Sequence, residues 1–411
     1  MKKVIKLMCA AAVVAGAFAP CALLAGNWTF DSSAKTFTSE DGEWEFTVTS
    51  YNTGANRIYV STCTKSAADG ILDLRDVHVS GGGFKDNTLI TKFQAAPGAS
   101  APWLGVREFY CDCVDAGIGP YQFQGNTILT KVEVSRGANS FTHIGDFAFD
   151  GCTSLQSITI SGQKPTKFKQ SCFRNCSALV ADVADIVPQN ATDINPNAFQ
   201  GCSGITGCLV LNNVGSTLNG SIFQNTGIQE LRLCSDSLQS IRQRNCFSGC
   251  TSLTNVVISS TGLTRIDQSN TQVFYGDTAL RTVTINAPNI NTMNNSGRMF
   301  DGCANIKEVT ILNEPWKDSG GNDITEKILS SEILYSVPAV SAETDAPKSC
   351  TVYAFKKDWR PYASPMEGSY ERNYAPARCY GVYNASTGSA GRKAYMAQLP
   401  DYWPGFIISV Y

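Results

Sequence analysis

The sequence predicts a solenoid, in which short coils stack in a row and each adds one strand to a parallel sheet. Three observations carry that expectation. A phenylalanine recurs at Phe123, Phe149, Phe173, Phe199, Phe223, Phe247, Phe274 and Phe300, always 24 to 27 residues on. A Cys or small polar residue stands three positions after each landmark, and an apolar residue, usually Leu, follows it. An alternating apolar pair closes the phrase, as in Leu155, Ile158 and Ile160, then Leu253, Val256 and Ile258, then Leu280, Val283 and Ile285. A period of this length marks stacked units, and the alternating β-branched pair marks a short strand. One coil buries too little apolar surface to offset the entropy of ordering it, so each coil needs the next as a roof.

The elements follow in order. Met1, Lys2, Lys3 and Lys6 precede an apolar run to Ala19, then Pro20 and small residues near Ala25. This is the pattern of a secretory signal peptide over residues 1–25. The run of about 13 apolar residues is short of the roughly 20 that span a bilayer. No later run is longer, so no transmembrane span is expected after signal removal. Cys21 follows Pro20, a poor setting for a lipoprotein cleavage signal.

Residues 26–80 read as a β-rich N-terminal cap. Trp28 with Phe30, Trp44 with Phe46 and Val48, Ile58 with Val60, and Leu72 with Leu74 alternate as strands do, and Asp41-Gly42 suits a hairpin turn. Residues 81–313 read as the solenoid, with about eight or nine coils. Phe84, Ile90, Phe93 and Ala95 make a weak first coil, and an insertion near 97–120 carries Trp103, Tyr110, Cys111 and Cys113. Residues 314–349 read as an irregular linker. Residues 350–411 hold a closing strand at Thr351–Phe355 and then a tail with eight Lys/Arg against four Asp/Glu from Lys348 onward. Tyr380, Tyr383, Tyr402 and Trp403 are its candidate binding residues, since aromatic rings beside cations suit sugars and acidic polymers. The same side chains could instead cover the last coil.

The phrase Ile144-Gly145-Asp146-Phe147-Ala148-Phe149-Asp150-Gly151-Cys152-Thr153-Ser154-Leu155-Gln156-Ser157-Ile158-Thr159-Ile160 resembles the BspA-type leucine-rich repeats of bacteria at every consensus position. The resemblance runs over about residues 84–312, with blurred copies after Phe173 and Phe223 and with Thr226 and Asp277 where Cys is usual. It implies a leucine-rich repeat solenoid of α/β-type, a right-handed superhelix, mostly β, with a parallel sheet on the concave face and a short helical or irregular convex side. It also implies adhesion to proteins or cells.

Outward strand positions form the one repeated surface. Lys131, Glu133, Thr159, Glu230, Arg232, Asn255, Thr284 and Glu308 are the candidate binding residues there; a merely solvated sheet face is the plain alternative. Chemistry finds less support. The chain has two histidines, His78 and His143, and no Cys-x-x-Cys pair, so neither a metal site nor a cofactor is expected. No catalytic grouping stands out. The formal charge of −2 falls to −5 once Lys2, Lys3 and Lys6 are removed, which disfavours nucleic acid as a partner.

Of the 16 cysteines, Cys152, Cys176, Cys202, Cys250 and Cys303 share one repeat slot, Cys172 and Cys246 share another that also takes Ala, and Cys208 takes the slot of Ile158. Slots that accept Ala or Ile are packing slots, so buried free thiols are expected there. Cys63, Cys111, Cys113, Cys234, Cys350 and Cys379 lie outside them and are the disulfide candidates. The resulting expectation is an exported, non-catalytic recognition or adhesion module, secreted, surface-bound or periplasmic, with a protein or glycan partner at the cell exterior. The alternatives are an envelope structural protein docking on wall glycan through its tail and, less favoured, a glycan-active enzyme.

Overall fold

The landmark rings form one column. From Phe123 to Phe300 each ring lies on the next with centroids 5.0–5.7 Å apart and interplanar angles of 2–15°. The backbone steps in time with the rings. The Phe149 N–H donates to the Cys172 carbonyl, that of Phe173 to Ala198 and that of Phe199 to Ile222, each at 2.8 Å. Every acceptor is the residue just before the next landmark, so this contact sets the coil length. The computed structural model describes residues 26–311 apart from 115, 136–140, 243–244, 268–271, 291 and 294–298, together with 317–318, 320–322, 351–354, 378–384 and 392–397. The expected signal peptide and most of the expected linker lie outside the described residues.

Two parallel ladders run along the stack. The longer one begins with Ile71–Leu74, Glu108–Cys111, Lys131–Val134 and Ser157–Ile160. It resumes with Cys208–Leu211, Glu230–Leu233, Asn255–Ser259, Thr282–Asn286, Glu308–Ile311 and Thr351–Ala354. The second ladder consists of pieces of two or three residues, from Gly117–Ile118 to Asp193–Ile194 and from Thr217–Asn219 to Thr292–Met293. The molecule is a mostly-β solenoid with very little helix among the described residues.

One slot explains how the chain leaves the ring column. Two residues after each landmark stand Gly125, Gly151, Asn175, Gly201, Asn225, Gly249, Gly276 and Gly302, all with φ between 59° and 80°. The left-handed conformation there suits only Gly and Asn without strain. It directs the chain into the cysteine slot, where each thiol donates to the carbonyl of the preceding coil's landmark. Cys152 reaches Phe123 at 3.0 Å, Cys176 reaches Phe149 at 3.1 Å, Cys202 reaches Phe173 at 2.9 Å, Cys250 reaches Phe223 at 3.1 Å and Cys303 reaches Phe274 at 2.8 Å. The slot is therefore buried and small, and its five cysteines also serve as hydrogen-bond donors.

These thiols are free, and burial pushes those of Cys152 and Cys303 up to about 12. Native protein at pH 8 should leave all five slot cysteines unmodified by iodoacetamide, and denatured protein should react at each without prior reduction. Mass spectrometry of the alkylated peptides checks this. Modification of the five in the native protein, or pairing among them, would contradict the slot.

The structure corrects the sequence reading at several places. Phe84 is not a weak first coil: Phe84–Leu89 pairs antiparallel with His78–Gly81 inside the seven-stranded cap sheet, which also takes in Lys92–Ala95. The segment near 97–120 is not a plain insertion but a coil. The Trp103 N–H donates to the Gln122 carbonyl at 2.8 Å, as landmarks do, and its ring meets Phe123 at 5.7 Å. Trp103 also packs on Phe46 at 4.9 Å, and its indole N–H donates to Ser61, which ties the cap to the stack. Cys208 is not in the slot of Ile158. Gly207, at φ 88°, absorbs an extra residue, so Leu209 faces inward and Cys208 outward, half-buried. Cys111 is an inward strand residue in register with Val134 and fully buried, so it belongs to a packing slot after all.

The expected closing strand at 351 pairs in parallel with Glu308–Ile311 over Thr351–Ala354. Arg378–Asn384 and Arg392–Ala397 then extend the ladder antiparallel.

Candidate functional site

The outward side chains of the longer ladder gather most densely at its N-terminal end. Val132 and Val134 are fully buried, so Lys131 and Glu133 between them face out. Register places Glu108 beside Lys131 and Tyr110 beside Glu133, and the next strand places Asp73 beside Tyr110. Arg75 follows that strand and makes a paired contact with Asp73, its Nη2 2.6 Å from Oδ2, while its Nη1 lies 3.7 Å from Glu133. Lys131 Nζ lies 3.2 Å from Glu133.

Tyr110 is the centre of this group. The Arg75 guanidinium lies 4.5 Å from its ring centroid and the Lys131 ammonium 4.9 Å. The Tyr110 hydroxyl donates to Glu108 Oε2 at 2.6 Å, and Arg107 holds the other oxygen of Glu108 at 2.7 Å. Burial, with the hydrogen bond to Glu108, raises the Tyr110 phenol above its ordinary range. The hydrogen bond to Asp73 raises Arg75. Three cations therefore face three carboxylates around one ring. Exposed pairs of this kind add little stability. Their effect is positional: they hold the aromatic and its cations in place.

The eight outward candidates fall into two groups. Lys131, Glu133 and Thr159 share the first sheet, with Thr159 exposed beside Glu133. Glu230, Asn255 and Glu308 share one row of the second sheet, and Arg232 and Thr284 share the adjacent row. Glu230 and Arg232 form an exposed pair at 3.6 Å. Asn255 accepts from the Thr282 hydroxyl at 2.8 Å, and Glu308 accepts from the Thr310 hydroxyl at 3.0 Å. This second group is polar, and Glu230, Arg232, Asn255 and Glu308 each have a partner on the same sheet face.

Asp73, Arg75, Glu108 and Tyr110 were missed by sequence reasoning, since they sit on coils that lack the landmark phrase. The alternation of Glu108, Phe109, Tyr110 and Cys111 was the available signal. In the tail, Tyr380 and Tyr383 fall on strand Arg378–Asn384, while Tyr402 and Trp403 lie outside the described residues.

His78 and His143 stay apart from this group. The His78 ring lies against the Asp76 carbonyl at 3.1 Å. His143 is half-buried on the second ladder, where burial, with Lys169 and Lys167 nearby, lowers its basicity. Among the described residues no group of three or more His, Cys, Asp and Glu could hold a metal ion. None of their helices is long and apolar enough to cross a membrane. Of the disulfide candidates, Cys63, Cys111, Cys113 and Cys234 carry free thiols, with the Cys111 and Cys113 sulfurs 3.8 Å apart. Cys350 lies outside the described residues, and Cys379 falls on Arg378–Asn384.

Ring column, parallel ladders and buried Leu and Ile slots together define a leucine-rich repeat solenoid. Six copies of the BspA type leucine rich repeat region match residues 116–244 and 184–307. The repeats of this chain belong to that family. No curated protein is similar enough in sequence to match. Among solved structures, a leucine-rich repeat protein from Bacteroides ovatus is 18% identical, over 66% of this chain and 82% of its own, with a TM-score of 0.32. A leucine rich cell surface protein from Faecalibacterium prausnitzii is 15% identical, over 67% and 88%, with a TM-score of 0.30. The leucine rich repeat protein of T. pallidum is 18% identical, over 66% and 81%, with a TM-score of 0.23.

Proposed function

We propose that this chain is a non-catalytic recognition module acting at the cell exterior, and that it contacts a partner protein through the Tyr110 face. The observation that carries the proposal is the fixed group of Tyr110, Arg75 and Lys131 on the outward side of the sheet. Tyr and Arg dominate the energetics of protein interfaces, and side chains ordered in advance lose less entropy on binding. The leader-like pattern over residues 1–25 supports export, and solenoids bind along extended sheet faces.

The test is binding of the purified protein to a panel of extracellular proteins and glycans, followed by Arg75→Ala and Tyr110→Ala. Each variant should weaken binding at least ~30-fold, as for an interface anchor worth about 2 kcal/mol, with little change in melting temperature. Binding that survives both substitutions would exclude this face. Binding lost only on removing residues 361–411 would favour attachment through the tail.

A further inference from the structure

The segment Cys111-Asp112-Cys113 stands where the cap meets the stack, and its two thiols touch. Strand Glu108–Cys111 ends at Cys111, and the chain bends at Asp112. Cys111 is fully buried and Cys113 only 5% exposed, so both side chains turn into the core. Their sulfurs lie 3.8 Å apart. A straight strand would hold the two Cα atoms about 6.6 Å apart, close to the limit of about 6.8 Å for a disulfide. The bend at Asp112 shortens that span.

Backbone contacts hold the pair from both sides. The Ser135 N–H, on the following coil, donates to the Cys111 carbonyl at 3.1 Å. From the cap sheet, the Phe93 N–H donates to the Cys113 carbonyl at 2.6 Å, and Phe93 bridges to Val114. The thiols themselves are bound differently from those of the cysteine slot. Each slot thiol donates to a landmark carbonyl at 2.8–3.1 Å. Cys113 makes a long contact of 3.5 Å to the Leu74 carbonyl, and among the described residues the Cys111 thiol bonds to Cys113 alone. Joining these two sulfurs therefore forfeits one weak hydrogen bond, whereas joining slot cysteines would forfeit short ones. The contact with Cys111, together with burial, raises the Cys113 thiol well above its ordinary range, so the folded protein shields it from reagents.

We propose that Cys111 and Cys113 are an oxidation site that closes into a disulfide as the chain folds, with a small-molecule disulfide as the oxidant. Cys113, the less buried of the two, attacks the oxidant as a thiolate before the coil closes over it. A mixed disulfide forms, and one half of the oxidant leaves as a thiol. Cys111 then attacks the Cys113 sulfur, the bond between the two cysteines forms, and the second half leaves as a thiol. The pair gives up two protons and two electrons, and the oxidant takes up both. The sulfurs move from 3.8 Å apart to a bond of about 2.0 Å. The burial that keeps reagents from the thiols then keeps reductants from the bond. The site stands whether or not the Tyr110 face binds a partner.

The test uses the full-length protein, reduced in denaturant and refolded with oxidised and reduced glutathione, a cooperative melt confirming the fold. The refolded protein is quenched in acid, alkylated in denaturant without reduction, and read by peptide mass. The peptide that holds Cys111 and Cys113 should carry no alkyl group and be two hydrogens lighter than its reduced form. Cys152, Cys176, Cys202, Cys250 and Cys303 should all be alkylated in the same sample. Dithiothreitol should cleave the bond at least ~10-fold more slowly in the folded protein than in the unfolded one. In Cys113→Ser, Cys111 should appear alkylated or as a glutathione adduct, with no peptide two hydrogens lighter. Full alkylation of both cysteines after refolding, or pairing of either with another cysteine, would overturn the proposal. Equal cleavage in folded and unfolded protein would overturn it too, since the bond would then lie outside the core.

Discussion

Phe199→Ala should destabilise the protein by about 3–5 kcal/mol, toward the upper end of that range for a buried aromatic truncation. Phe199 is fully buried and stacks between Phe173 at 5.4 Å and Phe223 at 5.1 Å. Phe168, from the second ladder, meets it at 5.1 Å. Removing the ring strips contacts from three aromatics on three coils. The column around it cannot collapse, because landmark N–H groups on both sides hold the coil spacing. Thr159→Ala, at an exposed outward position, should change stability by no more than about 0.5 kcal/mol. Denaturant melts of the two variants check the assignment of faces. Equal losses would refute it.

Asp277→Cys should stabilise the protein by about 2–4 kcal/mol at pH 8 and leave it nearly unchanged at pH 4. Asp277 stands in the cysteine slot and is fully buried. Its Oδ1 accepts from the Cys250 N–H at 2.8 Å, while its Oδ2 has no hydrogen-bond partner. The five cysteines of the slot are donors, and a carboxyl donates only when protonated. Burial pushes Asp277 from 3.8 up to about 8, against the opposing hydrogen bonds from the Cys250 and Gly249 backbone.

With the folded value above the unfolded one, the native state holds more protons between those limits. Stability is thus complete below about pH 4 and declines as pH rises through about 8. The neighbouring Cys250 and Cys303 thiols are raised by burial and do not titrate in that window. Denaturant melts of parent and variant at pH 4, 6 and 8 measure the difference. A gain independent of pH would show that Asp277 is not the titrating group.

What could be read from the sequence depended on how faithfully each coil repeats the phrase. The coils from Phe123 to Phe300 announced their inward and outward positions, and Lys131, Glu133, Glu230 and Arg232 all face outward as the alternation required. The Gly or Asn after each landmark was equally periodic, and its reason is the left-handed backbone there. Trp103 reads as part of an insertion and not as a landmark because Trp replaces Phe and its strand begins three residues sooner. Phe109 follows Trp103 by six residues, whereas Ile158 follows Phe149 by nine, yet both share a register position.

The helix Val183–Ile186 was hidden for another reason. Its two buried apolar residues are spaced for a helical turn, and Asp182 is an N-cap. A reading tuned to period two sees only a decayed strand there. The site was half legible as a result. Lys131 and Glu133 were visible, but Tyr110 and Arg75 come from coils without the phrase, and only the register joins them.

Trp103 and the eight phenylalanines mark one continuous row of coils, joined by backbone hydrogen bonds at the landmarks from Trp103 to Phe274. Native-state hydrogen exchange tests it most directly. The amides of Trp103, Phe123, Phe149, Phe173, Phe199, Phe223, Phe247 and Phe274 donate to the following coil at 2.8–3.0 Å. They should exchange slowly, through large cooperative openings, while amides at the exposed ends of turns exchange freely. Rapid exchange at the landmark amides, or slow exchange at only a scattered few, would contradict the stack.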